Sequence, residues 1–236
     1  NYLEARMLSD HKKFPERCFL VTEELPYYCG AEGNIRSYDT NNPWNIIAEN
    51  DFIAGGFLWT GTDYIGEAGW PSHGWPAGLF DICMVEKPRA AFHRAMWNDE
   101  PMVRIAVRDN ALDIDHGRDL WQWPNMAAIW NFPRAYEGLV IEVNTTTNCE
   151  RVALFHNGNE MGVRRTADYP NHTITWCLPY RRGTLVAKGI NGTDTVAVHE
   201  IRTAGDAVRL KAIADRGKLM ADGQDLSYVQ VELLDQ

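Results

Sequence analysis

Three patterns of apolar and polar positions succeed one another along the chain. In the first, two short apolar runs stand out. Cys18-Phe19-Leu20-Val21-Thr22 ends abruptly in two adjacent carboxylates, Glu23 and Glu24, and Phe52-Ile53-Ala54-Gly55-Gly56-Phe57-Leu58-Trp59 follows downstream. Each run has the length of a strand buried on both faces, as in a parallel sheet. The glycines of the second suit close approach of a neighbouring element. Between and around them lie helix signals. Asp10 to Lys13 reads as the end of a helix stopped by Pro15. Asn42-Pro43 offers an N-cap with proline at the first helical position, opening a helix over Trp44 to Glu49. Pro88 starts another, with Phe92, Ala95 and Met96 on one stripe. The order is βα, βα. Two such units cannot bury a parallel sheet alone, so they predict the last part of a larger α/β domain.

From about Gly117 the period changes. Leu139, Ile141 and Val143 alternate with Val140, Glu142 and Asn144, and Val152-Ala153-Leu154-Phe155 follows. Asn157-Gly158 is a strong hairpin signal, and Asn191-Gly192 is a second one. Ile174, Trp176 and Leu178 face one way, and Leu185, Ala187, Val196 and Val198 extend the set. Short strands at turn-punctuated spacing predict a β-sandwich of about seven strands, with Trp130 and Trp176 as core anchors. From about Gly205 a third pattern holds two alternating strands, Val208 to Ala212 and Tyr228 to Leu233, with Ala221-Asp222-Gly223 as a turn between them. That stretch is too short to hold its own core. It predicts the opening of another β-domain, or a tail packed on the sandwich.

Composition narrows the function classes. The 236 residues are 45% apolar and 11% aromatic with nine tryptophans, which is globular. A net charge of -9 and a pI near 5.2 argue against nucleic acid and anionic membrane surfaces as partners. There is no apolar run long enough to span a bilayer. The chain begins at Asn1 without a signal-peptide pattern, as if cut from something longer. Its five cysteines are scattered, without the spacing of a zinc or redox motif, although a Cys149–Cys177 bridge is compatible with the sequence. Three glycosylation sequons begin at Asn144, Asn171 and Asn191, in segments that read as turn-rich.

Chemistry points back to the first strand. Charge is expensive to bury, so acids at the tip of an apolar strand need a reason. In α/β folds the C-terminal strand ends are where reactions are carried out. Glu23 and Glu24 are both candidates. Side chains alternate across a strand, so both cannot point into the same mouth.

The first segment resembles glycoside hydrolase family 2, specifically its β-galactosidase-like members. The resemblance runs through Asp10-His11-Lys12-Lys13-Phe14-Pro15-Glu16-Arg17 and Thr22-Glu23. It continues through Ala54-Gly55-Gly56-Phe57-Leu58-Trp59-Thr60-Gly61-Thr62-Asp63-Tyr64-Ile65-Gly66-Glu67. Gly74-Trp75-Pro76, Gly78-Leu79-Phe80-Asp81 and Lys87-Pro88-Arg89 close it. The sandwich is similar to the immunoglobulin-like domain that follows the barrel in such enzymes, through Leu154-Phe155-His156-Asn157-Gly158, Pro179-Tyr180, Gly183-Thr184-Leu185 and Thr203-Ala204-Gly205.

The resemblance implies a multi-domain α/β plus all-β chain. Residues 1–105 would be the C-terminal portion of a (β/α)8 TIM barrel, with strands seven and eight. Residues 106–204 would be an immunoglobulin-like β-sandwich, and 205–236 the start of a further β-domain. It makes Glu23 the nucleophile of a retaining glycosidase, leaving Glu24 as a loop charge or a supporting partner. Trp59 would stack on the sugar, with Asp63 and Glu67 bonding its hydroxyls, and Trp70, His73 and Trp75 would shape an outer subsite. The acid/base would lie upstream of Asn1, so the chain alone should be inactive. No cofactor and no metal is expected in this stretch. Glucuronidases of the family carry an Asn-x-Lys where this chain has Trp75-Pro76-Ala77, so the expected substrate is a neutral β-galactoside or related oligosaccharide. Self-association or an upstream polypeptide would complete the barrel, and the expected setting is bacterial, periplasmic or secreted. The rival readings are a non-catalytic carbohydrate-binding or scaffold module and a degenerate glycosidase.

Overall fold

The computed structural model of the chain describes residues 4–24, 43–70, 73–108 and 126–236. They fold as two compact units, Asn1–Arg202 and Thr203–Gln236. The first unit opens with helix α1 (Glu4–Lys13), strand β1 (Phe19–Glu24), helix α2 (Pro43–Ala48) and strand β2 (Ile53–Leu58). β1 and β2 pair in parallel, as their apolar runs predict, with Phe19 opposite Ile53, Val21 opposite Gly56 and Glu24 opposite Leu58. The register slips in both intervals, so strict alternation fails along β1. Val21 and Ile53 meet Ile47 of α2 in a small core, with Met7, Trp44, Ile46 and Phe52 packed at its margin.

After β2 the chain forms a two-residue ladder, β3 (Tyr64–Ile65) with β4 (Gly74–Trp75), and then helix α3 (Pro88–Trp97). Proline stands in the first turn of α3, where its missing N–H is not needed, and Ala91, Phe92 and Ala95 form its buried face. Phe92 and Ala95 were expected on that stripe, whereas Met96 is only half-buried.

Among the described residues the sandwich has two four-stranded antiparallel sheets. Its strands are β5 (Val103–Arg108), β6 (Met126–Ala127), β7 (Val140–Thr147), β8 (Arg151–His156), β9 (Asn159–Arg165), β10 (Thr173–Pro179), β11 (Thr184–Asn191) and β12 (Asp194–Arg202). One sheet runs β10-β7-β5-β6 and the other β12-β11-β8-β9. β5 spans the 105/106 position at which the sequence was divided, and its inward residues Val103, Ile105 and Val107 belong to the sandwich core. Ile141, Val143, Ile174 and Trp176 extend that inner face, and Val152, Leu154, Leu185 and Ala187 meet it from the other sheet.

Trp130 and Trp176, at 0% and 1% exposure, anchor this core. Each satisfies its indole N–H, Trp130 by donating to the Arg181 carbonyl at 3.0 Å and Trp176 to the Thr145 hydroxyl at 3.0 Å. The hairpin between β8 and β9 turns at Asn157-Gly158. Asn144 lies in the middle of β7 rather than in a turn, and its buried carboxamide oxygen accepts from the Thr175 hydroxyl at 2.9 Å. Cys149 is buried, Cys177 is exposed and both thiols are free, so no bridge joins them; Cys29 lies outside the described residues.

The second unit is a hairpin of β13 (Arg209–Ala214) and β14 (Val229–Leu234). Leu210 pairs with Leu233 and Ala212 with Val231 on one face, while Lys211 pairs with Glu232 on the other. The alternation that predicts these strands is therefore preserved in the register. The apolar face remains exposed.

Candidate active site

The tip of β1 is the centre of the candidate site. Val21 faces the helices, Glu23 is half-buried, and Glu24 is 4% exposed. The register slip turns Glu24, not Glu23, toward the buried side. Space for it comes from β2: a Cβ on Gly56 would lie 2.3 Å from Glu24 Oε2 and 3.0 Å from Ile47 Cδ1. The backbone then ties the strand tips together, as the Trp59 N–H donates to the Glu24 carbonyl at 2.8 Å. The two carboxylates thus differ in setting, Glu24 packed against a strand glycine and Glu23 half-buried.

Trp59 follows β2 and leaves 41% of its surface exposed. Its ring stands edge-to-face with Tyr64 at 6.1 Å and 86°. The Tyr64 hydroxyl donates to the Glu67 carboxylate. That hydrogen bond is the main reason the Tyr64 phenol is held above its ordinary range, with partial desolvation and the Glu67 charge adding to it. The negative charge of Glu23 pushes in the same direction, and a hydrogen bond from the Trp59 side chain opposes it. Glu23, Trp59, Tyr64 and Glu67 therefore share one electrostatic neighbourhood. Across the β3–β4 ladder Tyr64 sits opposite Trp75, and Trp70 packs edge-on to His73 at 5.5 Å.

Asp63 is turned the other way. Its Oδ1 accepts from the Gly78 N–H at 2.8 Å, and both its oxygens accept from Lys87 Nζ, at 2.7 and 2.9 Å. The third Lys87 donor goes to the Pro76 carbonyl at 2.8 Å. An ammonium has three N–H donors, so Lys87 is fully engaged. Of the residues expected around the sugar, Trp59 and Glu67 both contact Tyr64, Glu23 stands near the tip of the paired strand β1, and Asp63 lies in the loop's internal fastening. Tyr64 and Lys87 make contacts in this geometry that the sequence did not assign to them. Both lie within the family-like segments, but nothing in sequence spacing links Lys87 to a carboxylate 24 positions earlier. Among the described residues no cluster of three or more His, Cys, Asp or Glu side chains comes together.

The described residues thus combine a parallel βα segment with a two-sheet sandwich and set a carboxylate and an aromatic at neighbouring strand tips. The chain is similar to a β-galactosidase of Bacteroides ovatus, with 30% identity over 194 residues, or 81% of this chain and 20% of that protein. It is similar also to a protein of Formosa agariphila that carries a β-glucuronidase name, with 31% identity over 156 residues, covering 63% of this chain and 13% of that one. The solved structure of a glycosyl hydrolase family 2 member from Bacteroides cellulosilyticus superposes with a TM-score of 0.84 at 30% identity, over 100% of this chain and 31% of that one. A family model described as a domain of unknown function, DUF4982, matches residues 138–197, which hold β7 to β11 of the sandwich and the start of β12.

Sequence and fold together place the chain among the glycoside hydrolase family 2 proteins. It spans about a fifth of the Bacteroides ovatus relative and under a third of the Bacteroides cellulosilyticus protein.

Proposed function

We propose that this chain carries the nucleophile and part of the sugar-binding rim of a retaining β-glycosidase that removes the terminal non-reducing sugar of neutral β-galactosides. The observation that carries the reading is the position of Glu23 near the end of β1, paired in parallel with the strand that runs into the exposed Trp59, which in turn meets the Tyr64–Glu67 pair. In this reading β1 and β2 are the seventh and eighth strands of a (β/α)8 barrel, where strand tips hold reacting groups with little freedom. A carboxylate oxygen of Glu23 attacks the anomeric carbon as the aglycone oxygen leaves with a proton from an acid about 5–5.5 Å away. Water, deprotonated by that same group, then attacks the glycosyl-enzyme and releases Glu23. The acid/base belongs to polypeptide outside this chain, so the chain alone does not complete the cycle. Trp59 gives the C–H face of the sugar an apolar ring to stack on.

A neutral sugar fits the charges better than a uronic acid. Glu23 and Glu67 make the described rim acidic, and the Lys87 ammonium beneath it is committed to Asp63 and Pro76. Neither rival reading gains support from a specific feature. Among the described residues of the sandwich, Trp130 and Trp176 are core, and no aromatic side chain is strongly exposed.

The test is chemical rescue. In the full polypeptide carrying this chain, Glu23→Gly should lower hydrolysis of an activated β-galactoside by at least about a thousandfold. Azide should then enter from the vacated face and yield a galactosyl azide of inverted configuration. Undiminished hydrolysis, or loss without azide product, counts against the role of Glu23.

A further inference from the structure

The fastening around Asp63 has a consequence for the proposed site. Two short backbone segments, 60–63 and 77–80, cross in close contact. Leu79 N–H and Phe80 N–H both donate to the Gly61 carbonyl at 3.0 Å, and Asp63 N–H donates to the Phe80 carbonyl at 2.8 Å. At the crossing stands Gly78. A Cβ there would lie 2.3 Å from both Asp63 N and Thr62 C, so backbone is packed on backbone with no room for a side chain. The Asp63 carboxylate bonds the Gly78 N–H and both its oxygens accept from Lys87. The Asp63 and Lys87 side chains are only 14% and 20% exposed, so the pair is shielded from the screening that makes surface ion pairs weak.

The segment enclosed by this crossing runs from Tyr64 to Ala77. It carries Tyr64 and Glu67, which share the neighbourhood of Glu23, together with Trp70, His73 and Trp75. Lys87 itself sits at the N-cap of α3, whose face is buried through Ala91, Phe92 and Ala95, and its N–H donates to the Leu79 carbonyl at 2.9 Å. The fastening therefore ties the segments that flank this loop to the start of helix α3. Glu23 depends on a different core, that of Val21, Ile47 and Ile53.

We infer that Lys87, acting through Asp63 and Gly78, is a positioning residue that holds the Trp59–Tyr64–Glu67 rim in the geometry that binds the sugar. The inference rests on the proposed glycosidase reading and extends it to a residue that does not itself touch substrate. Burial weakens the Lys87 charge and Asp63 supports it, the balance expected of a pair that depends on its partner. Because the nucleophile strand is anchored separately, releasing the loop should impair binding more than bond cleavage.

The experiment compares steady-state hydrolysis of an aryl β-galactoside by the full polypeptide carrying this chain with that of its Lys87→Met, Asp63→Asn and double variants. Lys87→Met should raise KM about tenfold while kcat stays within about threefold. Adding Asp63→Asn to Lys87→Met should recover part of the KM, because it removes a buried carboxylate that has lost its cation. Asp63→Asn alone keeps the Gly78 contact and is the variant to read if Lys87→Met fails to fold. Its KM should rise by a smaller factor. Unchanged KM in a folded Lys87→Met or Asp63→Asn variant, or a fall in kcat at constant KM, overturns the inference. If the parent protein hydrolyses no glycoside, the glycosidase reading itself fails, a result distinct from an active parent with unaltered variants.

Discussion

The sandwich and the β1–β2 segment are built from similar numbers of apolar residues per strand, yet they end in opposite conditions. In the sandwich, inward residues of two sheets face each other, and the result is one contiguous core around Trp130 and Trp176. In the β1–β2 segment, only the helix-facing side is covered among the described residues. Val21 and Ile53 are buried there, while Leu20 and Phe57 are 49% and 64% exposed. A parallel strand is written for burial on both faces, so half of its sequence makes sense only with further strands beside it. The part of the chain that holds the candidate chemistry is therefore the part that is less complete by itself. The candidate chemistry sits on strands with exposed apolar residues, and the contiguous core sits in the sandwich.

Stability measurements can break that contrast. The largest effect is expected in the sandwich: Trp176→Ala should cost about 3–5 kcal/mol, because a large ring with a satisfied N–H leaves a cavity between two sheets. Ile53→Val in the smaller core should cost only about 0.5–1.5 kcal/mol. Both are read from denaturant unfolding of the chain. A larger loss for Ile53→Val than for Trp176→Ala would show that the parallel segment, not the sandwich, carries the cooperative fold.

A smaller effect sharpens the same point through pH. His199 Nδ1 accepts the Ile105 N–H at 3.1 Å, joining β12 of one sheet to β5 of the other. Burial, aided by the Arg104 charge, lowers this imidazole from its usual 6.5 to about 4. The unfolded chain thus binds a proton between those pH values that the folded chain refuses. Its contribution is fully present above about pH 6.5 and is lost as pH falls through about 4. Thermal melts should fall more steeply over that window in the parent than in His199→Asn, which can still accept from Ile105 but cannot titrate. Equal slopes would remove His199 from the account. His172, also lowered by burial, is common to both proteins.

The sequence made the sandwich legible because its code is local. Alternation and Asn-Gly turns lie within a few residues of the structure they specify. The two strand runs and the Pro-initiated helices were legible for the same reason. What could not be read were events between distant positions. The register slip that buries Glu24 depends on a glycine of the next strand, since only the pairing brings Gly56 beneath that carboxylate. Membership of β5 in the sandwich depends on its pairing with β7, far along the chain. Asp63 had the look of a sugar ligand because it follows an aromatic strand tip, and its bond to Lys87 arises from a crossing that neither residue announces. Asn144 closes an alternating run but also opens a sequon in a segment that reads as turn-rich. Its carboxamide is instead satisfied inside the sheet.

The central claim is that Glu23, rather than its more deeply buried neighbour Glu24, is the attacking carboxylate. The most direct measurement is to treat the full polypeptide carrying this chain with an activated 2-deoxy-2-fluoro-β-galactoside and locate the trapped sugar by peptide mass spectrometry. The account predicts a fluorogalactosyl ester on Glu23. A label on Glu24, or on a carboxylate outside this chain with Glu23 unmodified, would contradict it.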